Sequence, residues 1–141
     1  MKSVNPYINF NGNCEEAFEF YQSVFGGELD LVRYKDLDNQ MGLTGEDLNM
    51  IGNVSLPLVG DTLLYGSDTP EPFGQPVQGG NKFQINIETE SAEEAERLFN
   101  ALSDGGEVIM PLQGTEWAEK FSMFSDRFDV QWMVMYTGDK I

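Results

Sequence analysis

Short runs of alternating hydrophobic and polar residues recur along this chain, and two of them precede a segment with helical spacing. Residues 7–10 (Tyr-Ile-Asn-Phe) and 83–87 (Phe-Gln-Ile-Asn-Ile) alternate, which predicts strands with one buried face. Apolar residues three and four positions apart follow in the segments 14–25 and 92–103. This spacing predicts one amphipathic helix after each strand.

Both predicted helices have recognisable ends. Asn13 is expected to cap the first helix, and Ser91 begins a capping box with Glu94 at the second. The pairs Gly26-Gly27 and Gly105-Gly106 follow the last apolar turns and predict where the helices stop. Further strands are predicted at 28–34, 49–58, 63–65, 107–112, 121–124 and 130–136.

Three short matches in the same order indicate an internal duplication. The second copy of each lies about 78 residues after the first. The matches are Ile8-Asn9-Phe10 with Ile85-Asn86-Ile87, Glu15-Glu16-Ala17 with Glu93-Glu94-Ala95, and Gly26-Gly27-Glu28 with Gly105-Gly106-Glu107. The sequence therefore predicts two βαβββ modules, residues 1–68 and 81–141, joined by a Pro/Gly-rich linker, 69–80, and together forming one structural domain.

The charge balance is strongly acidic. The 141 residues carry 24 acidic and 8 basic side chains, a formal net charge of −16. Such a surface repels phosphate backbones and anionic lipids, so no nucleic acid and no membrane are expected as partners. No apolar run approaches the roughly 18 residues of a membrane helix, and the first residues lack an apolar signal core. A cytoplasmic protein is expected.

Histidine is absent, and Cys14 is the sole cysteine. This composition excludes Ser-His-Asp and Cys-His catalysis, imidazole ligation of a metal and an intramolecular disulfide. Any metal would need carboxylate, amide or carbonyl ligands. We interpret Cys14 as a small structural residue.

Several stretches resemble the PhnB-like group, also labelled 3-demethylubiquinone methyltransferase-like, of the vicinal-oxygen-chelate superfamily. That superfamily includes glyoxalases, bleomycin-resistance proteins and extradiol dioxygenases. The stretches are residues 6–17, 20–28, 113–121 and 126–133, and the resemblance covers nearly the whole chain. It implies an α+β fold of two βαβββ modules, each a half-barrel of mainly antiparallel strands with a helix on its convex face. A fold of this kind hosts many chemistries.

The resemblance also implies where a metal would be held. The four matching positions are Asn5, Leu64, Lys82 and Met133, and Ile51 stands where PhnB-like relatives often carry histidine. Leucine cannot ligate, lysine is cationic, and methionine is a soft ligand unsuited to hard divalent ions. We therefore predict that the superfamily metal site is lost. No glycine-rich nucleotide segment supports a methyltransferase either, so no cofactor is predicted.

What remains is a cavity that the resemblance places between the modules. Strand parity predicts that Trp132 points to the helix side of the sheet. Glu116 and Glu119 are candidates for acid–base chemistry, and ordinary solvated charges in a loop are the alternative interpretation of both. Catalytic residues stay unknown. The predicted cavity residues are Tyr7, Asn9, Ile51, Asn53, Ser55, Leu64, Lys82, Gln84, Asn86, Trp117, Phe121, Gln131 and Met133.

Apolar walls with a few amide and hydroxyl groups suit a small organic molecule. We therefore expect a metal-independent small-molecule-binding protein. One alternative is a metal-dependent lyase, isomerase or dioxygenase of the same superfamily. Another is a dimeric scaffold whose cavity is vestigial. The resemblance implies a homodimer.

Overall fold

The computed structural model describes residues 1–140, which form two compact units, residues 1–78 and 79–140. Each unit contains one four-stranded sheet and one long helix. Most of the predicted linker, residues 69–78, belongs to the first unit. Within residues 1–140 no helix has the length and apolar character needed to cross a membrane.

The first unit has the predicted order of strand, helix and three strands. The elements are β1 (Tyr7–Phe10), α1 (Cys14–Phe25), β2 (Asp30–Arg33), β3 (Ile51–Pro57) and β4 (Leu63–Asp68). The sheet runs β1-β4-β3-β2, with β1 parallel to β4 and the other pairs antiparallel. Short 3₁₀ turns occupy much of the segment between β2 and β3, including Gly45–Asn49.

The second unit repeats this plan. The elements are β5 (Ile85–Glu88), α2 (Ala92–Ser103), β6 (Glu107–Gln113), β7 (Lys120–Ser125) and β8 (Gln131–Tyr136). The sheet runs β5-β8-β7-β6, again with one parallel pair, β5 and β8. The prediction of an α+β fold built from two βαβββ modules is confirmed.

Helix α1 lies close against the sheet of the first unit because β4 contains a glycine at the crossing point. A Cβ atom on Gly66 would lie 2.5 Å from Cε1 of Phe18, so no larger residue fits there without displacing the ring. Phe18 is fully buried and packs edge-on against Phe10 and Tyr21. The apolar stripe predicted for the helix is therefore core.

The N-terminus of α1 is capped by a residue distant in sequence. The side chain of Asn13 makes no capping hydrogen bond, contrary to the prediction. Instead, Oδ1 of Asp68 accepts hydrogen bonds of 3.0 Å from the backbone N–H groups of Gly12 and Cys14, and Oδ2 accepts one of 2.9 Å from Ile51 N–H. One buried carboxylate from β4 thus fixes both the start of α1 and the start of β3.

The N-terminus of α2 follows the prediction more closely. The Oγ of Ser91 accepts a 3.0 Å hydrogen bond from the backbone N–H of Glu94. The return bond of the capping box goes one residue earlier than expected, since Oε1 of Glu94 accepts from Glu90 N–H at 2.9 Å.

Candidate functional site

Strand register sorts the sheet of the first unit into two faces. Leu64 lies opposite Leu56, and Gly66 opposite Val54, on the face that packs against α1. Their neighbours along each strand point the other way, because side chains alternate. We call this second face the distal face of the first unit; its residues are Tyr7, Asn9, Asp30, Val32, Asn53, Ser55, Tyr65 and Ser67.

Two tyrosines and an amide form a connected group on this distal face. The rings of Tyr7 and Tyr65 are stacked, with centroids 5.9 Å apart and planes at 12°. The hydroxyl of Tyr7 donates a 3.3 Å hydrogen bond to Oδ1 of Asn53. Tyr7 is 49% exposed. The three side chains come from β1, β4 and β3, so adjacent strands hold an aromatic surface beside a polar amide that can pair with a ligand.

None of the eight residues that define the distal face of the first unit carries a positive charge. Asp30 supplies a carboxylate there, on the edge strand β2. Arg33 is engaged elsewhere, because its Nη2 lies 2.7 Å from Oε2 of Glu15 on α1. The guanidinium pKa is raised chiefly by this hydrogen bond. The face therefore offers aromatic, amide and hydroxyl contacts and no cation for an anionic group.

Two residues predicted to line the cavity lie elsewhere. Leu64 is fully buried on the α1 side, so its predicted orientation is wrong. Ile51 is 1% exposed and belongs to the core, with its N–H committed to Asp68. Leu63 and Leu64 are both apolar, so alternation alone could not choose between them. In the structure, Phe18 of α1 lies close to Gly66, so Leu64, two residues earlier on the same strand, points towards α1 as well.

The sheet of the second unit also has two sorted faces. Trp132 is fully buried opposite Phe124, whose ring packs edge-on against Phe99 of α2. The orientation predicted for Trp132 is confirmed. The residues pointing the other way, which we call the distal face of the second unit, are Asn86, Glu88, Glu107, Met110, Gln113, Phe121, Met123, Ser125, Gln131, Met133 and Met135.

Four predicted cavity residues meet on this second distal face, namely Asn86, Phe121, Gln131 and Met133. Trp117 joins them from the preceding loop. It is 47% exposed and its ring packs edge-on against Phe121, with centroids 5.3 Å apart.

Two other predicted positions, Lys82 and Gln84, precede β5 and have no partner in the sheet register. Met110, Met123 and Met135 were missed. Strand parity applied to every residue of β7 and β8 would have found the last two.

The four side chains at the positions that the family resemblance predicts for metal ligands do not fit a divalent ion. Leu64 faces α1, and the Oδ1 of Asn5 already accepts a 2.9 Å hydrogen bond from Leu63 N–H. Met133 offers a thioether, a soft ligand, and Lys82 a cation. Among residues 1–140 no three His, Cys, Asp or Glu side chains are grouped so as to hold a metal ion.

The two loop carboxylates proposed for acid–base chemistry differ in their surroundings. Glu116 is exposed. Oε2 of Glu119 accepts a 2.7 Å hydrogen bond from the backbone N–H of Asp139. Glu119 therefore holds the C-terminal turn of the second unit, and its carboxylate is engaged in structure.

Each unit also contains a groove away from its distal face. A groove of about 620 Å³ in the first unit lies between Asp47, Met50 and the segment 69–76. A smaller groove of about 290 Å³ in the second unit lies between Phe99 and Leu112. The predicted cavity residues line neither groove.

Comparisons with known proteins agree with this architecture. The chain is 39% identical to PA1353 from Pseudomonas aeruginosa, with a TM-score of 0.84 over 96% of this chain and 98% of that one. It is 27% identical to the Escherichia coli (strain K12) protein YjdN, over 93% of this chain and 92% of YjdN.

A Bacillus cereus PhnB protein, described as a putative 3-demethylubiquinone-9 3-methyltransferase, shares the fold. It is 23% identical to this chain with a TM-score of 0.67, over 96% of this chain and 99% of that one. The family model described as "Glyoxalase/Bleomycin resistance protein/Dioxygenase superfamily" matches residues 4–134. The chain therefore belongs to the glyoxalase/bleomycin resistance protein/dioxygenase superfamily.

Proposed function

We propose that this protein binds a small organic molecule on the distal faces of its sheets, without a metal of the superfamily type. The observation that carries the proposal is the stacked pair Tyr7 and Tyr65 with the amide of Asn53 hydrogen-bonded beside it. A partly exposed aromatic surface with a fixed polar group is the usual composition of a small-molecule site.

The hydrogen bond between Tyr7 and Asn53 supports binding rather than simple packing. Polar groups on a solvated sheet face need no partner for stability, because water satisfies them. Here the phenol and the amide are instead held in one arrangement across strands β1 and β3. A preorganised polar group costs a ligand less ordering entropy on binding.

The side chains at the predicted ligand positions are the reason for preferring a metal-free function over a metal-dependent lyase, isomerase or dioxygenase. A divalent ion would need carboxylate, amide or imidazole ligands that converge. The side chain of Asn5 is engaged by Leu63, and Leu64 faces the helix. Chemistry that polarises substrate oxygens through a metal therefore has no support among these residues.

Ligand-induced stabilisation tests the proposal. Metal-stripped protein would be screened by thermal shift against a library of neutral aromatic amides. A ligand that binds only the folded protein raises stability by about 2.7 kcal/mol at 100 times its Kd. We expect at least one stabilising compound, and we expect Tyr7→Ala and Asn53→Ala to weaken its binding. Val59→Ala, at an exposed turn residue away from the distal face, serves as the matched control.

Two results would contradict the proposal. One is a library in which no compound raises the melting temperature, which would favour a scaffold with a vestigial cavity. The other is binding that Tyr7→Ala and Asn53→Ala leave unchanged, which would place the site away from the tyrosine pair. Circular dichroism of both variants would show that they remain folded.

A further inference from the structure

A row of methionines crosses three adjacent strands of the second unit. Met110 of β6 lies opposite Met123 of β7, which lies opposite Met133 of β8. Residues directly opposite in a sheet have Cβ atoms roughly 4.5–5.5 Å apart, so neighbouring thioether side chains are within contact distance. We call these three residues the methionine row.

The methionine row is on the distal face, where the core does not require it. Trp132 and Phe124, the next pair along β8 and β7, point towards α2 and are fully buried. The three methionines are only partly buried. Methionine is not a favoured strand residue, and strands gain more from β-branched or aromatic side chains. The partial exposure of the three side chains leaves their thioethers available for contact with a ligand.

The residues next to the methionine row on the distal face are uncharged, and those on one side of it are apolar. The next pair along the strands is Phe121 opposite Met135, and Trp117 packs against Phe121. On the other side of the row lie Ser125 and Gln131, which are polar and neutral.

Charged residues of the same face lie at its margins and are acidic. Glu107 is on the edge strand β6, and Glu88 on the edge strand β5 is hydrogen-bonded to Thr137 N–H at 2.9 Å. Lys120 points to the other face, opposite Tyr136. The arginine of the following turn, Arg127, pairs with Asp104 at 3.2 Å. An anionic ligand would therefore meet carboxylates at the margins and no cation among the residues of this distal face.

Thioethers have a particular partner preference. Methionine sulfur makes favourable contacts with aromatic rings, and its flexible side chain adapts to rings of different outline. The strand β6 is irregular on both sides of Met110, and irregularities of this kind re-aim side chains next to binding sites.

We propose that the methionine row, with Phe121 beside it, receives a flat, uncharged and polarisable ring of the ligand. This inference rests on the proposed function, because it names the chemical class of the small organic molecule whose binding is proposed above. It assigns the ring to the second unit and leaves the polar end of the ligand to amide groups such as Asn86, which lies opposite Met133.

Methionine methyl groups give a direct test by NMR. The seven methionines would be labelled with carbon-13 in the methyl group and assigned through single Met→Leu variants. Three probes would be titrated into the full chain: naphthamide (planar, neutral), naphthoate (planar, anionic) and cyclohexanecarboxamide (neutral, not planar). We expect naphthamide to shift the methyl signals of Met110, Met123 and Met133 through its ring current, and to leave those of Met41 and Met50 in place.

The dissociation constants of the three probes provide a second test. Naphthoate and cyclohexanecarboxamide should each bind at least about tenfold more weakly than naphthamide. Met123→Leu keeps the side-chain volume and removes the sulfur, so the Kd for naphthamide should rise about two- to tenfold. Met133→Leu should act similarly. Met41→Leu, at an exposed methionine of the first unit, is the matched control and should change nothing.

The outcomes separate this inference from the proposed function. If aromatic amides bind and depend on Tyr7 while the three methyl signals stay unmoved, the inference is wrong and the proposed function stands. If naphthoate binds as tightly as naphthamide, the ligand class is wrong. If neither the probes nor any library compound binds, both fail together.

Discussion

The indole Nε1 of Trp132 donates a 2.9 Å hydrogen bond to Oδ2 of Asp126, and both residues are buried, at 0% and 3% exposure. The other carboxylate oxygen of Asp126 accepts from the backbone N–H groups of Phe128 (2.8 Å) and Val130 (3.1 Å). One side chain therefore fixes the turn between β7 and β8 and anchors it to the largest core residue of the second unit. Hydrogen bonds to a charged acceptor are stronger than neutral ones.

Asp126→Asn should destabilise the protein by about 2–3 kcal/mol. An amide has a single acceptor oxygen, so either the indole N–H or the turn N–H groups would face an NH₂ donor, and a buried donor left unpaired costs about 1–3 kcal/mol. Urea unfolding of the variant measures the change. The exposed Asp38→Asn should stay within about 0.5 kcal/mol of the parent protein. Equal stability of the two variants would show that the hydrogen bonds of Asp126 do not contribute to the unfolding free energy as proposed.

Gly106→Ala should destabilise the second unit by about 3 kcal/mol or more. A Cβ there would lie 2.0 Å from the backbone oxygen of Ser125 and 2.9 Å from Cα of Asp126, so two segments of backbone would have to separate. Gly80→Ala is the matched control, because no atom lies within 4 Å of the added Cβ. Thermal unfolding compares the two. Similar melting temperatures would contradict the close approach of β6 to the β7–β8 turn.

The regular elements could be predicted because their signals are local. The alternation at residues 7–10 and the helical spacing before Gly26 each lie within a single strand or helix. The two buried carboxylates could not be found this way. Asp68 caps a helix that begins 54 residues earlier in the chain. Its partners are backbone N–H groups, which every residue except proline has, so no residue type in the sequence identifies them. The expected cap, Asn13, is the residue that local rules favour, and the tertiary structure supplies a better acceptor.

The candidate site shows the same division. Strand parity predicted that Trp132 points to the helix side, and Trp132 is buried there opposite Phe124. Parity misplaced Leu64, where two leucines stand side by side and only the packing of α1 decides between them. The stacking of Tyr7 on Tyr65 depends on strand β4 lying between β1 and β3, a strand order that no local pattern encodes.

Cys14 should make stability fall at alkaline pH. Burial, and then the negative charges of Asp68 and Glu15, raise the pKa of the thiol above its ordinary value of 9.0. Because the pKa is higher in the folded state, the contribution is fully present below pH 9.0 and is lost as the pH rises further. Cys14→Ala should therefore flatten the decline in unfolding free energy by up to about 1.4 kcal/mol per pH unit. Burial is also the main cause that raises the pKa of Tyr34, and Cys14 is the smallest contributor to that shift, so the contribution of Tyr34 nearly cancels in the comparison.

Thiol labelling provides the independent check on Cys14. The single cysteine is fully buried, so native protein should react with a disulfide reagent only as fast as it opens, and unfolded protein should react at once. Rapid labelling of the native protein near neutral pH would contradict both the burial and the predicted pH dependence.

Divalent ions should leave the native protein's stability unchanged. Metal-stripped protein would be titrated with Mg²⁺, Mn²⁺, Fe²⁺, Ni²⁺ and Zn²⁺, and we expect no rise in melting temperature because the superfamily ligand positions hold unsuitable side chains. The double variant Asn86→His/Met133→His is a positive control, since these residues lie opposite each other on parallel strands and two imidazoles there should bind Ni²⁺ or Zn²⁺. It should gain about 2 kcal/mol or more at saturating ion. Stabilisation of the parent protein by any of the five ions would instead make a metal-dependent enzyme the leading interpretation.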